Sequence, residues 1–132
     1  MEKLKLNSRD DIALLVNSFY EKVKTDDLLG DIFNNAENFS WDTHIPVMIN
    51  FWETMLLDTT SYKGNTMRKH LELNRRTPLT PVLFERWKKL FYSTLETLFE
   101  GPAVETARKK VEAISGLMQY KIEQSNSKGF IQ

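Results

Sequence analysis

The chain contains two histidines, and both lie in segments rich in apolar side chains. His44 precedes the segment Ile45-Pro46-Val47-Met48, and His70 lies between Met67-Arg68-Lys69 and Leu71. An imidazole on an apolar face needs a partner for its ring nitrogens, and iron is one of the few partners that offsets its desolvation. Two such imidazoles facing each other would form a metal or haem site. Aromatic side chains that could wall a flat cofactor are Phe19, Tyr20, Phe33, Phe51, Trp52 and Trp87.

The composition excludes several other classes of protein. The 132 residues predict one domain, with a core over about residues 8–124 and a frayed tail over residues 125–132. Eighteen basic residues balance eighteen acidic ones, which argues against nucleic acid or an anionic membrane as a partner. The absence of cysteine excludes disulfides, thiolate zinc sites and cysteine-ligated iron–sulfur clusters. No apolar run is long enough for a membrane span, and we expect a soluble protein of the cytoplasm.

Apolar residues recur at helical spacing through most of the chain, which predicts an all-α fold. Ser8 and Asp11 form a capping-box pattern that starts a helix ending near Thr25. A short helix over about residues 28–33 follows, and residues 34–38 are predicted to form a loop. Pro46 is comfortable in a first helical turn, so the next helix is expected to begin close to His44, capped by Asp42 or Thr43.

The remaining elements present His70 and the aromatic residues. His70 is predicted on a short helix over about residues 65–73, with residues 75–78 as a connection. Thr80 and Pro81 are typical of a helix start, and that helix is expected to continue as far as Gly101. A last helix begins at Pro102.

The order of these motifs resembles the third group of the truncated haemoglobins, over roughly residues 12–118. The matching segments are Phe19-Tyr20-Glu21-Lys22-Val23, Leu28-Leu29-Gly30-Asp31-Ile32-Phe33, His44 ahead of Asn50-Phe51-Trp52, Tyr62-Lys63-Gly64-Asn65, Met67-Arg68-Lys69-His70 and Arg86-Trp87. The resemblance implies a globin-like two-over-two helical sandwich that encloses haem b, iron protoporphyrin IX.

The resemblance also implies roles for individual residues. His70 would be the proximal iron ligand, and the distal side would be formed by Tyr20, His44 and Trp87. The residues expected to contact the porphyrin are His70, Phe33, Met48, Phe51, Trp52, Met67 and Trp87. The pair Arg75 and Arg76 could meet the haem propionates, although a solvated loop pair is an equal alternative.

Chemistry from the residues agrees with this resemblance. A neutral His70 imidazole is a suitable axial ligand if its other ring nitrogen is held by a carbonyl, carboxylate or water. Hydroxyl and indole donors at Tyr20 and Trp87 would stabilise O₂ and slow its release. We therefore expect a protein that binds O₂, NO or CO and depends on an unidentified reductase. Dioxygenase-like conversion of O₂ with NO, or peroxidase-like chemistry, fits such a pocket better than bulk oxygen transport.

Two features of the sequence leave alternatives open. Pro46 leaves the inward or outward pose of His44 undecided, and Met48 stands where the family often has a branched apolar residue. A different class of function is a haem-free globin-fold sensor or protein-interaction module whose pocket is filled by side chains. A purified protein without colour, and without a Soret band after haem addition, would favour that module.

Overall fold

The computed structural model describes residues 3–34 and 40–128, except the side chains of residues 76, 127 and 128. Its helices are α1 (Arg9–Thr25), α2 (Leu29–Asn34), α3 (Trp41–Leu57), α4 (Thr66–Arg76), α5 (Pro81–Leu98) and α6 (Pro102–Lys128). Helices α1 and α3 pack together, as do α5 and α6, and α1 also packs on α5 while α3 packs on α6. This arrangement confirms the predicted all-α, two-over-two sandwich. Residues 35–38 of the predicted loop lie outside the described residues.

Helix α1 begins and ends where the sequence predicts. The Ser8 side chain accepts a hydrogen bond from the Asp11 backbone N–H at 3.3 Å, and Asp11 Oδ2 accepts one from the Ser8 backbone N–H at 3.0 Å. This reciprocal capping box satisfies two N–H groups that a helix start leaves without partners. The inner face of α1 is buried at Ile12, Leu15, Val16, Phe19, Tyr20 and Val23.

Helix α3 begins earlier than predicted, and this is a correction. Its N-cap is Ser40 rather than Asp42 or Thr43, so Pro46 lies inside the helix instead of in its first turn. A proline there removes one helical N–H and crowds the preceding turn. Aromatic packing explains why the helix forms nonetheless, because the Trp41 ring lies 5.4 Å from the Tyr20 ring and 5.2 Å from the Phe33 ring. Burying that indole favours an extra turn at the start of α3.

The end of α4 is also corrected. The expected connection over residues 75–78 is wrong in its first half, because α4 continues through Arg76. The end of α4 is fixed by buried Asn74, whose side-chain oxygen accepts the Leu79 N–H at 2.8 Å and whose amide donates to Asn126 Oδ1 at 2.8 Å. Asn126 lies on α6, which continues to Lys128. The expected fraying of residues 125–132 stays a prediction. Residues 129–132 lie outside the described residues.

A two-residue parallel pairing, which the sequence pattern did not predict, joins the start of the chain to the corner before α6. Strand β1 (Leu4–Lys5) pairs with strand β2 (Phe99–Glu100), with Leu4 opposite Phe99. The neighbouring Leu6 is buried in the core. This pairing leaves the fold class unchanged. Because Phe99 and Glu100 form β2, α5 ends at Leu98 rather than at Gly101. Among the described residues, no helix is long and apolar enough to span a membrane.

Candidate functional site

A cavity of about 440 Å³ lies inside the sandwich, and its wall is predominantly apolar. That volume is in the range of pockets that bind small molecules and cofactors. The predicted site residues that line this cavity are Tyr20, Phe33, His44, Met48, Phe51, Trp52, His70 and Trp87. They come from α1, α2, α3, α4 and α5, so the helical sandwich brings together side chains that are far apart in sequence.

The His70 imidazole is oriented by its own helix. Its Nδ1 lies 2.8 Å from the backbone oxygen of Thr66, one helical turn earlier. Because a carbonyl oxygen can only accept, Nδ1 carries the proton and donates, and the neutral ring then has its lone pair on Nε2. Burial lowers the pKa of His70 below its ordinary value, against the opposing effect of the Thr66 carbonyl. The ring is therefore neutral at pH 7, with a single defined tautomer.

His44 points into the cavity, which answers the question that Pro46 left open. Its Nε2 lies 3.2 Å from the Tyr20 hydroxyl, and the two rings meet edge to face at 5.2 Å. Phe33 lies 5.7 Å from the same imidazole. Burial is the main cause that lowers the pKa of His44 to about 4, with smaller contributions from His70 in its protonated form and from the positive charge of Lys69. Burial raises the pKa of Tyr20, so this pair is uncharged at neutral pH.

Trp87 belongs to an aromatic stack behind the cavity. Its ring lies parallel to Phe91 at 5.0 Å and is stacked on Trp52 at 6.0 Å, while Phe19 approaches it edge-on at 5.2 Å. Contacts of this kind fix the plane of a large indole. The indole edge of Trp87 thus has a defined position in the cavity wall.

Phe33 is placed by a capped turn between α1 and α2. Asp26 Oδ2 accepts the backbone N–H groups of Leu28 and Leu29 at 3.0 and 2.9 Å, and Arg86 donates to Asp26 Oδ1 at 2.7 Å. Burial alone would raise the pKa of Asp26, but these hydrogen bonds hold the pKa below its ordinary value. The ionised carboxylate therefore ties α2 to α5 beside the cavity.

Two predicted cofactor contacts, Met67 and Arg75, are not among the cavity-lining residues. Met67 lies on α4 and is half-buried, but it does not line the cavity. Arg75 is exposed on the last turn of α4 and also does not line the cavity. The Arg76 side chain lies outside the described residues.

Several wall residues were missed in the sequence. Thr66 and Lys69 line the cavity from α4, and the apolar part of the wall also includes Leu29, Ile32, Val47, Tyr62, Leu73, Leu79, Leu83, Phe84, Val111, Ile114 and Met118. Lys69 precedes His70 directly, and Thr66 lies one helical turn earlier. The spacing of Thr66 from His70 could have indicated Thr66, because residues four apart share a helix face. The adjacent position of Lys69 gives no such signal.

The described residues contain no group of three or more His, Asp or Glu side chains arranged to hold a metal ion. A haem iron needs only one or two ligands from the protein, since the porphyrin supplies the others.

Comparison with known proteins decides the family. No protein-family model matches the chain. The chain is 35% identical over 120 residues to the group 3 truncated haemoglobin ctb of Campylobacter jejuni, covering 89% of this chain and 92% of that protein. The crystal structure of group III truncated haemoglobin from Campylobacter jejuni superposes with a TM-score of 0.82 at 34% identity, over 92% of this chain and 95% of that one.

The chain belongs to the group III truncated haemoglobins. Membership in this globin family makes haem the cofactor to test against the cavity. The residues of this truncated haemoglobin fit such a group, because an apolar cavity is lined by one imidazole whose Nε2 lone pair is defined by the His70–Thr66 hydrogen bond. Tyr20 and His44 add a polar pair to the same cavity.

Proposed function

We propose that this truncated haemoglobin binds haem b in the cavity with His70 as the axial ligand and handles a diatomic gas beside Tyr20, His44 and Trp87. The observation that carries the proposal is the hydrogen bond from His70 Nδ1–H to the Thr66 carbonyl. It fixes the tautomer in which Nε2 can coordinate iron, and such a partner increases the basicity of the ligand. The apolar wall supports a cofactor with a large hydrophobic surface.

When bound, haem supplies an iron that coordinates O₂, NO or CO. The chain's own contribution is a set of neutral donors. Tyr20 and His44 share one hydrogen bond, and either ring can be the donor. If His44 Nε2–H donates to Tyr20, the Tyr20 proton is free to donate into the cavity. If Tyr20 donates to Nε2, the proton of the imidazole lies on Nδ1 instead.

This donor set supports a slow release of gas. A hydrogen bond from a neutral donor contributes about 1 kcal/mol, and roughly 1.4 kcal/mol is a tenfold change in affinity. Donors at both Tyr20 and Trp87 would make a poor carrier of oxygen. We therefore propose conversion of O₂ with NO, or reaction with peroxide, with a separate reductase to restore ferrous iron.

The test is an optical haem titration of the purified protein beside His70→Gly, in ferric, dithionite-reduced and CO-bound states. We expect a stoichiometric Soret band in the natural chain and a lost or altered band in the variant. His44→Gln is the matched control, because it removes the other imidazole of the cavity and should retain the band. A natural chain without a Soret band would refute haem binding and favour a haem-free interaction module.

A further inference from the structure

A run of three hydrogen bonds connects α3 to the imidazole of His70. The Tyr62 backbone N–H donates to Thr54 Oγ1 at 2.9 Å. The Thr66 hydroxyl donates to the Tyr62 hydroxyl at 2.9 Å, and His70 Nδ1–H donates to the Thr66 carbonyl at 2.8 Å. Thr66 is the first residue of α4, so this run, which we name the Tyr62 link, fixes the start of the helix that carries His70.

The Tyr62 side chain has little freedom of its own. Its ring meets Phe51 edge to face at 5.2 Å, and Phe51 is buried on α3. The hydroxyl lies directly over Gly64, where any Cβ would collide with it. Tyr62 is thus held at its backbone, its ring and its hydroxyl, so it can fix the position of the Thr66 hydroxyl that it binds.

The Thr66 carbonyl is the acceptor that determines the His70 tautomer. Movement of this carbonyl would weaken the Nδ1–H hydrogen bond, and a weaker bond makes the imidazole a poorer donor of electrons to a metal. The hydroxyl of the same residue is bound to Tyr62. One residue therefore connects the orientation of the imidazole to the position of α3.

We propose that Tyr62 and Thr66 are positioning residues for His70, acting through their hydroxyl pair. The proposal rests on the proposed function, in which His70 is the axial ligand. It assigns to the loop between α3 and α4 the task of setting the strength of the proximal hydrogen bond.

The experiment compares Tyr62→Phe, Thr66→Val and the double variant with the natural haem-loaded protein. Two quantities are measured: the iron–histidine stretching frequency of the ferrous form by resonance Raman, and the rate of haem loss to a scavenging globin. We expect a lower frequency and haem loss faster by about tenfold, the lower end of the effects seen for outer partners of metal ligands. The double variant should exceed neither single variant, because both remove the same contact.

Controls separate positioning from general stability. Tyr120→Phe removes a hydroxyl from an exposed tyrosine on α6 and should leave both quantities unchanged. Thr66→Ser retains the hydroxyl and should behave as the natural chain, which also keeps the test valid if Tyr62→Phe does not fold. An unchanged frequency in a folded Tyr62→Phe or Thr66→Val protein would overturn the proposal, as would Thr66→Ser behaving like Thr66→Val.

A haem-free measurement distinguishes failure of the link from failure of haem binding. Nitrogen-15 NMR at a fixed pH of 7 reports the tautomer of His70 in the haem-free chain. We expect Nδ1–H to dominate in the natural chain and the Nε2–H fraction to rise in Tyr62→Phe. A chain that takes up no haem but shows this change would refute the proposed function and retain the link. An equal tautomer fraction in both chains would overturn the link.

Discussion

Replacing His44 with glutamine is expected to remove part of the acid sensitivity of the haem-free chain. The chain has only two histidines, so between pH 5 and 7.5 the titration of its side chains is dominated by these two imidazoles. Glutamine keeps a polar group near the Tyr20 hydroxyl but does not titrate. The variant therefore isolates the protonation of a single buried ring.

The sign follows from the pKa of His44, which burial lowers to about 4 in the folded chain. In the unfolded chain the pKa returns to its ordinary value of about 6.5. Between these two values the unfolded state binds a proton that the folded state does not, so the free energy of unfolding falls as the pH falls. The full shift corresponds to about 2 kcal/mol lost between pH 7.5 and 5, and solvent screening of the partly exposed ring reduces this to about 1 kcal/mol.

The assay is urea unfolding of the haem-free chain, followed by circular dichroism at pH 7.5, 6.5, 5.5 and 5. The natural chain should lose stability across this range, and His44→Gln should lose about 1 kcal/mol less. The loss of stability that remains in the variant is assigned to His70, because burial also lowers the pKa of that imidazole. An identical dependence on pH in both chains would refute the assignment of a buried, neutral His44.

Two further predictions concern gas release and the end of α4. Tyr20→Phe and Trp87→Phe, each made in the haem-loaded protein, should speed O₂ dissociation by about tenfold in stopped-flow measurements, and unchanged rates would exclude both donors. Asn74→Ala should lower the free energy of unfolding by about 1–3 kcal/mol, because it leaves the Leu79 N–H without its acceptor. Chemical denaturation checks this second result, and a change below about 0.5 kcal/mol would show that Asn74 does not hold the end of α4.

The sequence predicts the elements whose signals are local. The Ser8 capping box is an example, because a reciprocal pair three residues apart acts within one turn. The start of α5 at Pro81 follows in the same way from the fixed φ of proline. The family resemblance predicted the globin sandwich, and the comparisons confirm it.

Contacts between distant segments account for what the sequence did not predict. The early start of α3 depends on Trp41 packing against α1 and α2. Helix propensities and capping patterns describe neighbouring residues only, so they do not predict this contact. The late end of α4 depends on Asn74, whose amide binds Asn126 near the other end of the chain. The roles of His70 as ligand and of Tyr20, His44 and Trp87 as distal residues stay predictions.

The short pairing of β1 with β2 has a consequence for how the chain reaches its final fold. Its two strands are separated along the chain by α1 to α5, so closing them costs more chain entropy than any helix–helix hairpin. Because of this entropy cost, we expect the pairing to form after α5 and α6 have met at their corner. Leu6, next to β1, is buried in the folded chain. We expect these first residues to join last during refolding, so that protection of the backbone amides of the β1–β2 pairing from hydrogen exchange marks complete folding.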